Sequence, residues 1–176
     1  MIEKTLDASL LFSIIDLTSQ IRLRGDLIYK FANITTQQYV VLLHLANDPN
    51  IPFIEKGNFN KGMLASELAT SMRISRPGMT NLLKILIQKK LVQQTEEPND
   101  RRRKRLQLTE KGEQLILEME PLRKEANAAF LSQFNDIEKK QFLNLIERCA
   151  SYAKDQLENP QDLTKMHQRI LAMIED

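Results

Sequence analysis

The sequence predicts a mainly α protein with one small β-hairpin, and three observations carry that prediction. Apolar residues recur at spacings of three and four over long stretches at both ends of the chain, which is the period of a helix face. In the middle, two short amphipathic stretches, one from Met63 to Met72 and one beginning at Ser75, are separated by a brief break at Arg73-Ile74. After them, two short runs of strand character flank a polar turn, and five consecutive cations, Arg101-Arg102-Arg103-Lys104-Arg105, stand beside that turn.

From Thr5 to Phe31 the residues Leu6, Leu10, Ile14, Leu17, Ile21, Ile28 and Phe31 draw one stripe along a helix. Leu11, Phe12, Ile15, Leu23 and Leu27 widen the stripe beyond what one neighbour needs, so this helix is expected to pack against more than its own domain. Thr35 and Gln38 then have the spacing of a capping box, which predicts a helix of about eleven residues after Ile34. Asn47-Asp48-Pro49-Asn50 is expected to end it, because proline lacks an amide donor and disfavours helix in the residue before it. Residues 51–62 contain proline, two glycines and two asparagines without periodicity, which reads as a loop with one short strand around Pro52–Ile54.

Helix is expected to return over Met63–Met72. Ser75 is a credible N-cap for the next one, with Pro77 in the first turn where its missing amide costs least. That helix buries Met79, Leu82, Leu83, Leu86 and Ile87 and leaves Thr80, Asn81, Lys84 and Gln88 on the other face. Two short helices joined by a tight turn form a helix-turn-helix, whose second helix enters a major groove. Leu91–Thr95 and Arg103–Leu108 read as strands around the turn Glu96-Glu97-Pro98-Asn99-Asp100, with Leu106 and Leu108 on one face and Arg103, Arg105 and Gln107 on the other. A half-buried hairpin with a cationic outer face is a wing.

Thr109 can cap the next helix, expected to run to about Phe134 and to bend near Leu117 or break at Pro121. Asn135 with Glu138 predicts a further capped helix that puts Phe142, Leu145, Ile146 and Cys149 on one side and ends at Pro160. A last amphipathic piece spans Leu163 to Ile174. The fold class is thus mainly α with a small β-wing: a winged helix-turn-helix over 35–109, preceded by a helix in 1–34 and followed by helices in 110–176, the end helices carrying more apolar surface than a compact winged helix could cover.

With 176 residues, 42% of them hydrophobic, the chain can bury a core as one domain or as a small domain carrying an oligomerisation platform. The net charge of +2 hides a division. Between Lys61 and Lys111 stand 12 Lys and Arg against 5 Asp and Glu, a local balance of +7, while the remainder carries 13 against 18. Cations concentrated beside a helix that can enter a groove point to nucleic acid, because displacing condensed counterions supplies much of DNA affinity. No apolar run approaches the roughly 20 residues of a membrane span, and MIEKTLDASL has neither a basic leader nor a cleavage site, so a cytoplasmic protein is expected. Cys149 is the single cysteine and excludes an intrachain disulfide; on the apolar side of its helix it reads as a buried structural thiol. His44 and His167 are far apart and no metal cluster, cofactor motif or catalytic constellation is visible, so neither a cofactor nor an enzyme is expected.

Ile34-Thr35-Thr36-Gln37-Gln38-Tyr39, the Ser75-Arg76-Pro77 helix start with Thr80, the Leu91-Val92 strand, and above all Pro98-Asn99-Asp100-Arg101-Arg102 followed by Leu106-Gln107-Leu108-Thr109-Glu110-Lys111-Gly112 resemble the MarR family of bacterial winged helix-turn-helix transcriptional regulators. The D-x-R wing followed by L-T-x-x-G is the most specific part. The resemblance implies that Arg102 enters the minor groove, that Asp100 holds the wing in shape, and that the terminal helices form a helical dimerisation platform interlocking two copies on a pseudo-palindromic operator. It also implies a repressor released by a small-molecule inducer, bound between the platform and the winged helix, for which Arg22, Tyr29, Phe31 and Tyr39 are lining candidates. Two residues depart from the pattern. Asn81 stands where many relatives carry a basic residue, which favours an adenine edge over a guanine. Lys90 stands where a glycine often closes the recognition helix, at the cost of left-handed backbone strain.

The DNA-contact set is therefore Ser75, Arg76, Thr80, Asn81, Lys84, Arg101, Arg102, Arg103 and Arg105, with Asp100 stabilising the wing. The competing reading is a winged-helix adaptor whose basic hairpin binds an acidic protein partner.

Overall fold

The computed structural model describes residues 3–52, 62–97 and 100–175. Contacts divide the chain into two compact units, Met1–Pro121 and Leu122–Asp176. The first unit opens with α1 (Leu6–Tyr29), capped by Thr5, whose hydroxyl accepts from the Ala8 amide at 3.2 Å. A short 3-10 turn, Lys30–Ala32, ends in Asn33 at φ 55° and redirects the chain. In α2 (Thr36–Leu45) both halves of the Thr35/Gln38 capping box are formed. Thr36 ties α2 to α1: its amide donates to Asp26 at 2.6 Å and its hydroxyl to the Arg22 carbonyl at 2.9 Å.

α2 ends directly before Asn47-Asp48-Pro49-Asn50, as expected: Ala46 closes the helix and Asn47, a residue that tolerates positive φ, turns left-handed at φ 56°. The strand expected around Pro52–Ile54 falls largely on residues 53–61, outside the described residues.

Met63 does not begin a helix. Met63 and Leu64 form β1, paired with Leu106 and Arg105, and α3 (Ala65–Ser71) starts only afterwards. Residues that favour helix locally are held extended here by cross-strand partners more than forty positions away, a tertiary override of propensity. Arg73 at φ 52° makes the tight turn into α4 (Arg76–Gln88). The wing is β2 (Val92–Glu97) and β3 (Asp100–Leu108), antiparallel, with a register shift at Glu96/Glu97. Sheet order is β1-β3-β2, and β3 begins three residues before the expected Arg103.

Apolar residues from every element of the unit meet in one core: Tyr39, Val41 and Leu42 of α2, Leu68 of α3, Met79, Leu83 and Leu86 of α4, Val92 and Leu106 of the sheet, and Met119 of α5 (Glu110–Phe130). Tyr29 and Tyr39 stack there, ring centroids 4.2 Å apart. His44 is buried as well, with Nδ1 2.8 Å from the Val40 carbonyl oxygen.

Thr109 caps α5 as expected, accepting from the Gly112 amide at 3.1 Å. The helix runs unbroken through Pro121 and stops at Phe130, four residues before the expected Phe134. In the second unit, Asn135 and Glu138 complete a capping box at the start of α6 (Asp136–Glu158), and Phe134 stacks on Phe142 at 5.9 Å. α7 is Gln161–Glu175. Cys149 corrects the expectation of a buried thiol: within the chain it is exposed, as Leu145 and Ile146 on the same side of α6 are. No described helix is long and apolar enough to cross a membrane.

Candidate nucleic-acid interface

The short helix α4 is built to stand with one face outward. Ser75 caps it, its hydroxyl accepting from the Gly78 amide at 3.2 Å, and Pro77 occupies the first turn. Met79, Leu83 and Leu86 anchor the helix in the core, and the remaining positions follow from the 3.6-residue period. Arg76, Thr80, Asn81, Lys84 and Gln88 are all exposed, as is Ser75. The Thr80 hydroxyl donates to the Arg76 carbonyl at 2.9 Å, so its hydrogen is used within the helix and it offers lone pairs and a methyl group outward. Asn81 and Lys84, one turn along, offer an amide that can donate and accept and a mobile ammonium.

The wing follows, with β2 packed against α4. Arg103 and Lys104 are exposed on β3; Leu106 is buried and Leu108 half-buried, the alternation that seats the hairpin. Arg105 behaves differently from Arg103, although both belong to the outer face. It is half-buried, and its Nη1 donates to the Gly62 carbonyl at 3.0 Å, tying β3 to the segment that enters β1. Gly62 has φ 75° and lies so close to the Leu106 carbonyl that a Cβ would collide with it. The side chains of Asp100, Arg101 and Arg102 fall outside what the structure describes, as do residues 98–99 at the tip.

The geometry therefore brings Ser75, Arg76, Thr80, Asn81 and Lys84 together on α4 and its cap and leaves Arg103 exposed on β3, while Arg105 is tied to the Gly62 carbonyl. Lys104 joins the exposed cations; its place in the five-cation run was the only sequence signal for it. Among the described residues no group of three His, Cys, Asp or Glu side chains could hold a metal ion. Of the lining candidates for a small molecule, Tyr29 and Tyr39 are core residues and Phe31 is 70% exposed. An open cleft of about 680 Å³ lies elsewhere in the first unit, among Leu45, Asn47, Gln107, Glu113 and Ile116.

Residues 32–103 match the family model described as MarR family, a span from the end of α1 into the wing. Solved structures extend the likeness to most of the chain. The S. aureus MepR–DNA complex is 25% identical, with 85% of this chain and 99% of that one covered and a TM-score of 0.66. The family model and these solved structures thus agree in what the chain is similar to, the MarR family. A MarR protein from Peptoclostridium difficile DA00132 superposes with a TM-score of 0.73 at 20% identity, over 89% of this chain and 94% of that one. A MarR transcriptional regulator from Methanosarcina mazei Go1 does so with a TM-score of 0.71 at 19% identity, over 84% and 98%. These MarR-family likenesses fix the fold as a winged helix. Lys90 closes α4 in the left-handed region at φ 58°, where a glycine would be unstrained.

Proposed function

We propose that this chain is a cytoplasmic, homodimeric, sequence-specific DNA-binding transcriptional regulator: a repressor of a pseudo-palindromic operator, released by a small-molecule ligand, and not an enzyme. One observation carries the reading. The outward face of α4 presents hydroxyl, amide, ammonium and guanidinium groups, and the hairpin whose β2 packs against α4 carries exposed cations on β3, groups suited to reading base edges while neutralising phosphates. MepR, 25% identical, was solved on DNA.

On this reading α4 is the recognition helix. Arg76 and Lys84 meet phosphates or guanine edges, Ser75 a phosphate, and Thr80 and Asn81 base edges, with Asn81 suited to adenine. Arg101, Arg102 and Arg103 serve the wing, with Arg102 in a narrow minor groove and Asp100 bracing it; Arg105 adds charge while its guanidinium braces β1.

Dimerisation is supported by apolar surface that the chain leaves uncovered. On α1, Leu10 is 54% exposed, Phe12 72% and Ile15 60%, and no residue of α6 is buried. Large apolar side chains left exposed along a helix mark an interface. A two-fold dimer sets two recognition helices about 34 Å apart, one turn of duplex. Release by a ligand follows if the ligand binds one helix spacing better than the other.

Selection of bound duplexes from a random pool tests the proposal. Enrichment of two half-sites about 10 base pairs apart, related by a two-fold axis, is the expected result. Failure to enrich any sequence, with capture of acidic proteins instead, would establish the adaptor reading.

A further inference from the structure

The last carbonyls of an α-helix lack donors from their own helix and must find them elsewhere. In α4 the motif at Lys90 supplies two: the Leu91 amide donates to the Leu86 carbonyl at 3.0 Å and the Lys90 amide to that of Ile87 at 2.9 Å. Beyond Gln88, the carbonyls of Lys89, Lys90 and Leu91 are all taken by two residues at the start of α5. Lys111 Nζ donates to Lys89 at 3.1 Å, the Thr109 hydroxyl to Lys90 at 2.6 Å, and the Thr109 amide to Leu91 at 3.1 Å. Gly112 lets this happen, since a Cβ there would collide with the Leu91 carbonyl oxygen. The same Thr109 hydroxyl accepts from Gly112 and so caps α5. One side chain thus ends one helix and begins the other.

We propose that Thr109 and Lys111 are positioning residues for the recognition helix: they clamp its C-terminal end to the first turn of α5 and thereby set the angle at which Thr80 and Asn81 meet base edges. The proposal rests on the DNA-reading function of α4. Lys111 belongs to the basic middle of the chain, yet its ammonium is spent on a helix C-terminus, where a cation is favoured, and not on a phosphate. Base readout tolerates little angular error, because a bidentate pair is lost when donor and acceptor no longer align. Phosphate contacts made by mobile side chains tolerate more.

Lys111→Met keeps the stem and removes the donor. Its affinity for a duplex selected from a random pool should fall about fivefold, the size of a net hydrogen bond of ~1 kcal/mol. Affinity for an unselected duplex of equal length, and the slope of log affinity against log salt, should stay at the wild-type values. Thr109→Ser, which retains the hydroxyl, should behave as wild type. In the free protein, amide exchange at Thr109 should quicken in Lys111→Met.

If both duplexes weaken together and the salt slope shrinks by about one unit, Lys111 is a phosphate contact and the proposal is overturned. Unchanged affinity for both duplexes, with the wild type binding normally, overturns the positioning role alone. A wild type that binds no duplex counts against the regulator reading, whereas an unchanged Thr109 exchange rate counts against the clamp itself.

Discussion

Gly112→Ala tests the packing between α4 and α5 by the sign of its effect. In an open helix, replacing glycine by alanine stabilises by ~1 kcal/mol, because the glycine backbone has more freedom to lose on folding. Here the new Cβ would fall well inside the 3.0 Å that real Cβ atoms keep, and the obstacle is the Leu91 carbonyl oxygen, with Leu108 Cδ2 close behind at 3.3 Å. Backbone cannot rotate away as a side chain can. The start of α5 and the end of α4 must part by roughly an ångström, an overpacking that costs ~1–3 kcal/mol. The separation also stretches the bond from the Thr109 amide to Leu91, worth ~1 kcal/mol. Set against the ~1 kcal/mol gained in propensity, the net is a loss of ~1–3 kcal/mol. For a chain of this length that lowers the thermal midpoint by roughly 3–10 °C. Circular dichroism melts at one fixed protein concentration read it. A Gly112→Ala midpoint equal to or above wild type would refute the contact between the two helices.

Other substitutions separate the parts of the interface. Asn81→Ala should cost ~1–3 kcal/mol on the selected duplex and relax preference at one base pair per half-site, read by repeating the selection with the variant. Arg102→Ala should weaken binding most where the minor groove is narrow; unchanged operator affinity would remove the wing from the contact set. Leu10→Asp combined with Ile14→Asp should leave a folded monomer by light scattering, and a dimer that survives both charges would place the interface elsewhere than α1. Gly62→Ala, at φ 75° and against the Leu106 carbonyl, should lower the urea midpoint by an amount equivalent to ~1–3 kcal/mol, since it meets both backbone strain and a clash.

Cap chemistry is local, and so it was legible in the sequence. Thr35 with Gln38, Ser75 with Pro77, Thr109, and Asn135 with Glu138 each start a helix where their spacing places one. Apolar period likewise identified the inward face of α4. What the sequence hid depends on partners distant along the chain. Met63-Leu64 reads as helix until Leu106 and Arg105 pair with it. Alternation puts Arg105 with Arg103, and only the approach of Gly62 turns its guanidinium inward. Periodicity showed which side of α6 carries Cys149 but could not show that the chain leaves the thiol exposed. Lys111 looked like one more cation of a basic stretch; its role at the end of α4 emerges only when residues 89 and 111 meet.

The central claim is that α4 and the wing read duplex DNA, and salt tests it most directly. Each phosphate neutralised contributes a log–log slope of about −0.9. If each copy in a dimer places three cations on phosphates, affinity for a selected duplex should fall with salt at a slope of about −5, with protection of two faces one helical turn apart. Binding that ignores salt, or a slope near that of a single contact, would contradict the account.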